Sequence, residues 1–255
     1  MIPISDSPHS RTFPYVNVAI VAVNFAVFFY ELMLSQHAAS GVIGNFRITS
    51  QLDRFILHWG NVPACSFDAL GWARHLGGVQ ARECASQPQP ALTALSAMFM
   101  HGGWLHILGN MLFLWIFGDN VEDALGHVRY AVFYVVVGSL AALTHGLVNA
   151  NDLTPAIGAS GAIAGVMGAY IVLYPRATVS ALFFIIPLRI PAFIMIGIWF
   201  AMQLFSGFSS LGVDAVGASG GVAYFAHIGG FIAGAALVTV FTIGRSRRTR
   251  PRYAR

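Results

Sequence analysis

A serine hydroxyl is a weak nucleophile until a base removes its proton, and a neutral imidazole within hydrogen-bond distance can do that near neutral pH. The chain offers such a pair in apolar surroundings: Ser160, at the mouth of one uncharged run, and His227, about two turns into another. His106 and Asn110 stand four apart in a third run and therefore share one helical face. Singly, each of these residues is explained by packing or by a bond back to its own helix. Polar side chains in hydrocarbon are costly, however, and four of them at one depth point to a single site. The chemistry available to them is acyl transfer by a Ser160–His227 dyad. His106, Asn110 and the Ser160 backbone N–H would be the donors that hold the oxyanion. Ser160 opens its helix, so its N–H has no intrahelical acceptor and points toward developing negative charge.

The elements that must position these residues are membrane helices. Of 255 residues, 56% are hydrophobic and only 9% charged, and the mean hydropathy is +0.68, too apolar for an ordinary soluble domain. Six uncharged runs predict six spans: Tyr15 to Tyr30, Leu105 to Gly118, Ala131 to Val148, Ile157 to Tyr174, Ile190 to Leu211 and Gly220 to Gly244. The first reads as a retained span and not a cleaved leader. All 14 basic residues are Arg, and six crowd positions 245–255, which predicts a cytoplasmic C-terminal tail. With six crossings, the 1–14 tail and the connections carrying Arg129, Arg176 and Arg189 are cytoplasmic too, and the 35–103 segment is extracytoplasmic. Spans two, four and six then start outside, with their polar residues roughly 5 to 12 Å below the outer surface. The Arg tail reads as a topology anchor and the net charge of +4 adds no nucleic-acid partner.

Close approach of the spans is written in small residues. Gly161 and Gly165 follow Ser160 at helical spacing, and Gly230 and Gly234 follow His227 in the same way, so two helices can meet backbone to backbone. In the 35–103 segment, Phe46, Phe55, Trp59, Phe67 and Trp72 predict short amphipathic helices in the interface, and Gln87–Pro90 stops any helix before Ala91. Cys65 and Cys84 lie on the oxidising side, as a disulfide or as two thiols. The Gly217–Gly221 stretch predicts a mobile lid before the sixth span. His101 and His106 are five apart, and no span carries a two-His-plus-Glu helical signature, so no metal is expected.

These motifs together resemble the rhomboid intramembrane serine proteases over nearly all of the spans. His101-Gly102-Gly103-Trp104-Leu105-His106 through Asn110 looks like the family's His and Asn segment. Gly158-Ala159-Ser160-Gly161 looks like its nucleophile motif, and Ala226-His227-Ile228-Gly229-Gly230 with Gly234 like its base motif. Gly118, Glu122 and Gly126 are similar to its structural Gly and Glu pattern. The resemblance implies an all-α membrane protein, a single six-transmembrane-helix domain over 1–255 with a long, partly helical first extracytoplasmic loop. It implies a serine endopeptidase that needs no cofactor and cuts single-span membrane proteins within or near the lipid bilayer of the cell membrane, through a site opening to the extracytoplasmic side. Ser160 would be the nucleophile, His227 the base, and His106, Asn110 and the Ser160 N–H the oxyanion donors. Span five, with Trp199, Phe200 and Phe205, would form a lateral gate with the lid.

Two features depart from the family pattern. Ala164 stands where many members place an aromatic that packs on the base, so something else must hold His227. Leu92 and Thr93 replace a Trp-Arg pair, so the first loop must be anchored differently. A non-catalytic binder of membrane helices is the runner-up. A transporter is disfavoured because its polar groups would cluster at the midplane.

Overall fold

Where the apolar runs are long, helices form, since a chain in hydrocarbon must satisfy its own backbone. The computed structural model describes residues 2–7, 9–43, 46–69, 84, 87–183, 186–210 and 222–244. Its strands are β1 (Ile2–Ser7), β2 (Ala38–Ile43), β3 (Phe46–Ser50), β4 (Thr178–Phe183) and β5 (Ile186–Pro191). Its helices are α1 (Tyr15–Ser35), α2 (Gln51–Trp59), α3 (Pro63–Ala69), α4 (Pro90–Ala97), α5 (Trp104–Leu125), α6 (His127–Val148), α7 (Ser160–Leu173), α8 (Ala192–Ser210) and α9 (Tyr224–Phe241). Among the described residues four helices, α1, α6, α8 and α9, are long and apolar enough to cross a membrane, and α7 is a shorter apolar helix. The lid at Gly217–Gly221, the Arg-rich 245–255 tail, Trp72, Arg74 and Arg82 lie outside the described residues.

Helix α7 is the centre of the bundle. Every residue from Gly161 to Tyr170 is buried, and the helix packs against α5, α6 and α9. A helix buried all round needs no polar face, and its Gly and Ala residues leave room for neighbours on each side. Tyr130, Phe133 and Tyr134 of α6, Leu114 and Phe117 of α5 and Tyr170 of α7 are large buried side chains of the core around it. Gly126 takes a φ of 80° between α5 and α6; a residue with a Cβ is strained there, so glycine lets two long helices reverse direction across one position.

The start of α1 lacks a cap from its own sequence. Glu122 of α5 supplies one, accepting the backbone N–H of Val16 at 3.0 Å and of Asn17 at 2.7 Å. A buried carboxylate at a helix N-terminus meets both its hydrogen-bond need and the helix dipole. Asn17 in turn donates to the Leu114 carbonyl at 3.1 Å and accepts from Tyr130 Oη at 2.8 Å. A Cβ at Gly118 would strike that Asn17 side chain, which gives the Gly118 and Glu122 pattern one physical purpose.

The structure is mostly helical, in keeping with the expected all-α membrane protein, and adds two small antiparallel sheets that were not expected. Strands β1, β4 and β5 form one sheet in that order with β4 central, and β2 and β3 form a hairpin. Strand β4 alternates, Val179 and Ala181 being fully buried, which is the period of a strand and not of a helix. The fifth helix therefore starts at Ala192, two residues after the expected span, because β5 occupies the residues before it. Likewise the fourth begins at Ser160 and not at Ile157.

The 35–103 segment contains the amphipathic helix α2, begun by a reciprocal cap. Asp53 N–H donates to Ser50 Oγ at 3.2 Å, and Ser50 N–H to the Asp53 carboxylate at 2.9 Å. Its anchors replace the absent Trp-Arg pair. Gln87 donates to the Leu57 and Gly60 carbonyls at 2.6 and 3.2 Å, Ser96 Oγ donates to the Trp59 carbonyl at 2.6 Å, and Cys65 is joined to Cys84.

Two outcomes follow from this packing. A Cβ at Gly234 would overlap the Gly165 backbone, so Gly234→Val should lower the thermal midpoint of the detergent-solubilised protein by roughly 5 to 10 °C. Gly197→Ala, at a site with nothing within 4 Å, should leave it unchanged; equal midpoints for both variants would contradict the contact. Strand β1 docks through Asp6, whose carboxylate accepts from Tyr170 Oη and from Asn120 Nδ2. Burial, opposed by the Tyr170 bond and reinforced by Asp119, pushes Asp6 up from 3.8 to about 7. The folded chain thus prefers neutral Asp6, a contribution complete below the ordinary value and lost as pH rises through about 7. Wild type should therefore lose thermal stability relative to Asp6→Asn as pH is raised across that window. A pH-independent difference would refute it.

Candidate active site

Ser160 is the first residue of α7, and the loop that delivers it is pinned on two sides. Asn61 and Ala156 exchange backbone hydrogen bonds at 3.1 and 2.9 Å, and Gly158 N–H donates to the Ala97 carbonyl at 2.8 Å. Gly158 itself has a φ of 130°, and a Cβ there would lie 2.8 Å from the His106 ring and 3.6 Å from Ser160 Oγ. Glycine is thus required twice over, by backbone conformation and by the ring beside it.

Opposite Ser160, α9 brings His227. Here the small-residue spacing takes effect, because a Cβ at Gly230 would overlap the Gly161 carbonyl and one at Gly165 would meet the Gly230 carbonyl at 3.1 Å. With those atoms absent the two backbones touch, and His227 Nε2 lies 2.7 Å from Ser160 Oγ. His227 is 6% exposed, so water competes little for its ring.

His106 lies on the other side of Ser160, across Gly158. Its Nδ1 accepts from Gly102 N–H at 3.4 Å, which leaves Nε2 as the protonated nitrogen of a neutral ring, turned toward Gly158. Asn110, buried one turn further along α5, donates from Nδ2 to His101 Nε2 at 2.9 Å. The His101 ring meets the His106 ring edge to face at 5.0 Å. Asn110 is therefore tied to the group through His101, and its contacts run to that ring and not to Ser160. Burial, with His106 adding to it, lowers His101 to about 4, so His101 is neutral and able to accept from Asn110. The backbone N–H of His101 donates to the Glu31 carboxylate of α1 at 3.1 Å.

Glu31 and Gln203 were not singled out in the sequence, and His101 only as part of a motif. His101 and Glu31 brace Asn110 from behind, and Gln203 of α8 places Oε1 2.8 Å from His227 Nδ1. A polar side chain inside an apolar span was the available signal for Gln203. Trp199, expected in a gate, lies with its ring 5.7 Å from that of His227. Ala164, where an aromatic was missing, is fully buried. Phe200 stacks on Phe231 of α9 at 4.2 Å, while Phe205 is exposed. Among the described residues no group of three His, Cys, Asp or Glu side chains could hold a metal ion.

Known proteins give the arrangement a family. Over 253 residues the chain is 26% identical to RHOMBOID-like protein 1 of Arabidopsis thaliana, covering 96% of this chain and 56% of that one. It is 31% identical over 150 residues to Rhomboid protein 1, mitochondrial, of Saccharomyces cerevisiae, covering 56% of this chain and 40% of that one. With Rhomboid protease GluP of Bacillus subtilis it shares 33% over 144 residues, covering 56% of this chain and 25% of that one. The chain thus spans about half the length, or less, of these curated relatives. The rhomboid domain model matches residues 89–243, more than half of the chain, and with its apolar helices this makes it a multi-pass membrane protein that belongs to the rhomboid family.

Proposed function

We propose that this protein is an intramembrane serine endopeptidase that hydrolyses peptide bonds in or near the transmembrane segments of single-span membrane proteins. The observation that carries the reading is the 2.7 Å contact between Ser160 Oγ and His227 Nε2, at the meeting of two apolar helices. In this reading α1, α5, α6, α7, α8 and α9 are six spans in the cytoplasmic membrane of the cell. Both termini lie in the cytoplasm and the site opens to the extracytoplasmic side. Substrate enters between α8 and its neighbours.

Ser160 Oγ attacks the scissile carbonyl carbon while its proton passes to His227 Nε2. The carbonyl oxygen becomes an oxyanion, held by the Ser160 backbone N–H at the start of α7, by His106 Nε2–H and by the second amide hydrogen of Asn110, the first being engaged with His101. Collapse breaks the C–N bond, and His227 gives its proton to the departing amine. Water, deprotonated by the same ring, then hydrolyses the ester on Ser160. Each step uses side chains of this protein and neither metal nor cofactor.

Removing one oxyanion donor typically costs about 100- to 1,000-fold in turnover. Asn110→Ala should accordingly lower kcat on a purified single-span substrate by about 100- to 1,000-fold with folding intact. Unchanged turnover would take Asn110 out of the site. Ser160→Ala should abolish cleavage outright. If folded wild type in detergent cuts none of several single-span substrates, while still binding them, the family's non-catalytic helix-binding reading replaces this one.

A further inference from the structure

On α8, Trp199, Gln203 and Gly207 follow one another at intervals of four residues and so form one face of the helix. That face is the one turned to α9. Trp199 lies beside the His227 ring, and a Cβ on Gly207 would lie 3.3 Å from both Ile228 and Tyr224. Gln203 sits between them, the only amide side chain in α8, and its Oε1 is 2.8 Å from His227 Nδ1.

A carbonyl oxygen can only accept, so this contact requires the proton of a neutral imidazole to be on Nδ1. Nε2 then carries the lone pair, and it is Nε2 that faces Ser160 Oγ at 2.7 Å. The opposite tautomer would donate to the serine oxygen and could not take its proton. We infer that Gln203 is a positioning residue that fixes the tautomer and orientation of His227 from α8, with Trp199 beside the ring in place of the aromatic absent at Ala164. This rests on the proposed dyad. The base is then competent only while α8, the helix expected to form the lateral gate, is seated on α9.

The test is the rate at which a small fluorophosphonate labels the full chain in detergent, a reaction that needs the activated serine but no gated helix, read beside kcat and KM on a single-span substrate. Gln203→Met keeps size and helix propensity but removes the acceptor. It should slow labelling and kcat by about 10- to 100-fold, as loss of an outer-shell partner does, with KM within about twofold and an unchanged thermal midpoint. Gln203→Glu retains an acceptor oxygen and should label within about threefold of wild type. If Gln203→Met does not fold, Gln203→Asn, one methylene too short to reach, should show the same loss. Gln203→Met labelling at the wild-type rate overturns the role of Gln203 alone, as does Gln203→Glu labelling as slowly as Gln203→Met. A folded wild type that does not label at all overturns the dyad, and this role with it.

Discussion

Two backbones in direct contact are the constraint on which the rest of this structure depends. Helices α7 and α9 touch where Gly161, Gly165, Gly230 and Gly234 leave no Cβ between them. Lipid supplies no hydrophobic force to bring helices together, so association rests on close packing and on polar bonds formed across the seam. The bond across this seam joins Ser160 to His227. A reactive distance and a stable helix pair are therefore set by the same four glycines, and neither can be altered alone.

Around that seam the remaining polar groups form a scaffold at two levels. At one end, Glu122 closes the start of α1, Asn17 ties α1 to α5, and Tyr130 ties it to α6. A missing partner there would leave a buried carboxylate or amide unpaired, at a cost of about 1–3 kcal/mol or more. At the other end, Glu31 holds His101, which holds Asn110, while Gly158 allows the serine loop to lie against His106. The long helices carry these contacts because a rigid element transmits position better than a loop does.

The parts legible in the sequence are those where cost leaves a mark. Ser160, His227, His106 and Asn110 stood out as polar residues in apolar runs, and the glycine spacing told which runs could touch. Other features depend on partners far along the chain. Nothing local to Glu122 indicates that the N–H groups of Val16 and Asn17 come to it from 106 and 105 residues away. The sheet was hidden because β4 and β5 are apolar enough to read as the approach to a span, and because β1 pairs with β4 across most of the chain. Gln203 passed unnoticed because one amide in a span reads equally well as a helix-to-helix bond. Its distance from His227 gives it meaning, and distance is what one sequence does not contain.

The central claim is that Ser160 is an activated nucleophile. The most direct measurement is peptide mapping by mass spectrometry of the folded wild-type protein after reaction with a fluorophosphonate. The account predicts a single covalent adduct on Ser160, absent when His227 is replaced by Ala. An adduct at another serine, or an adduct on Ser160 that survives loss of His227, would contradict it.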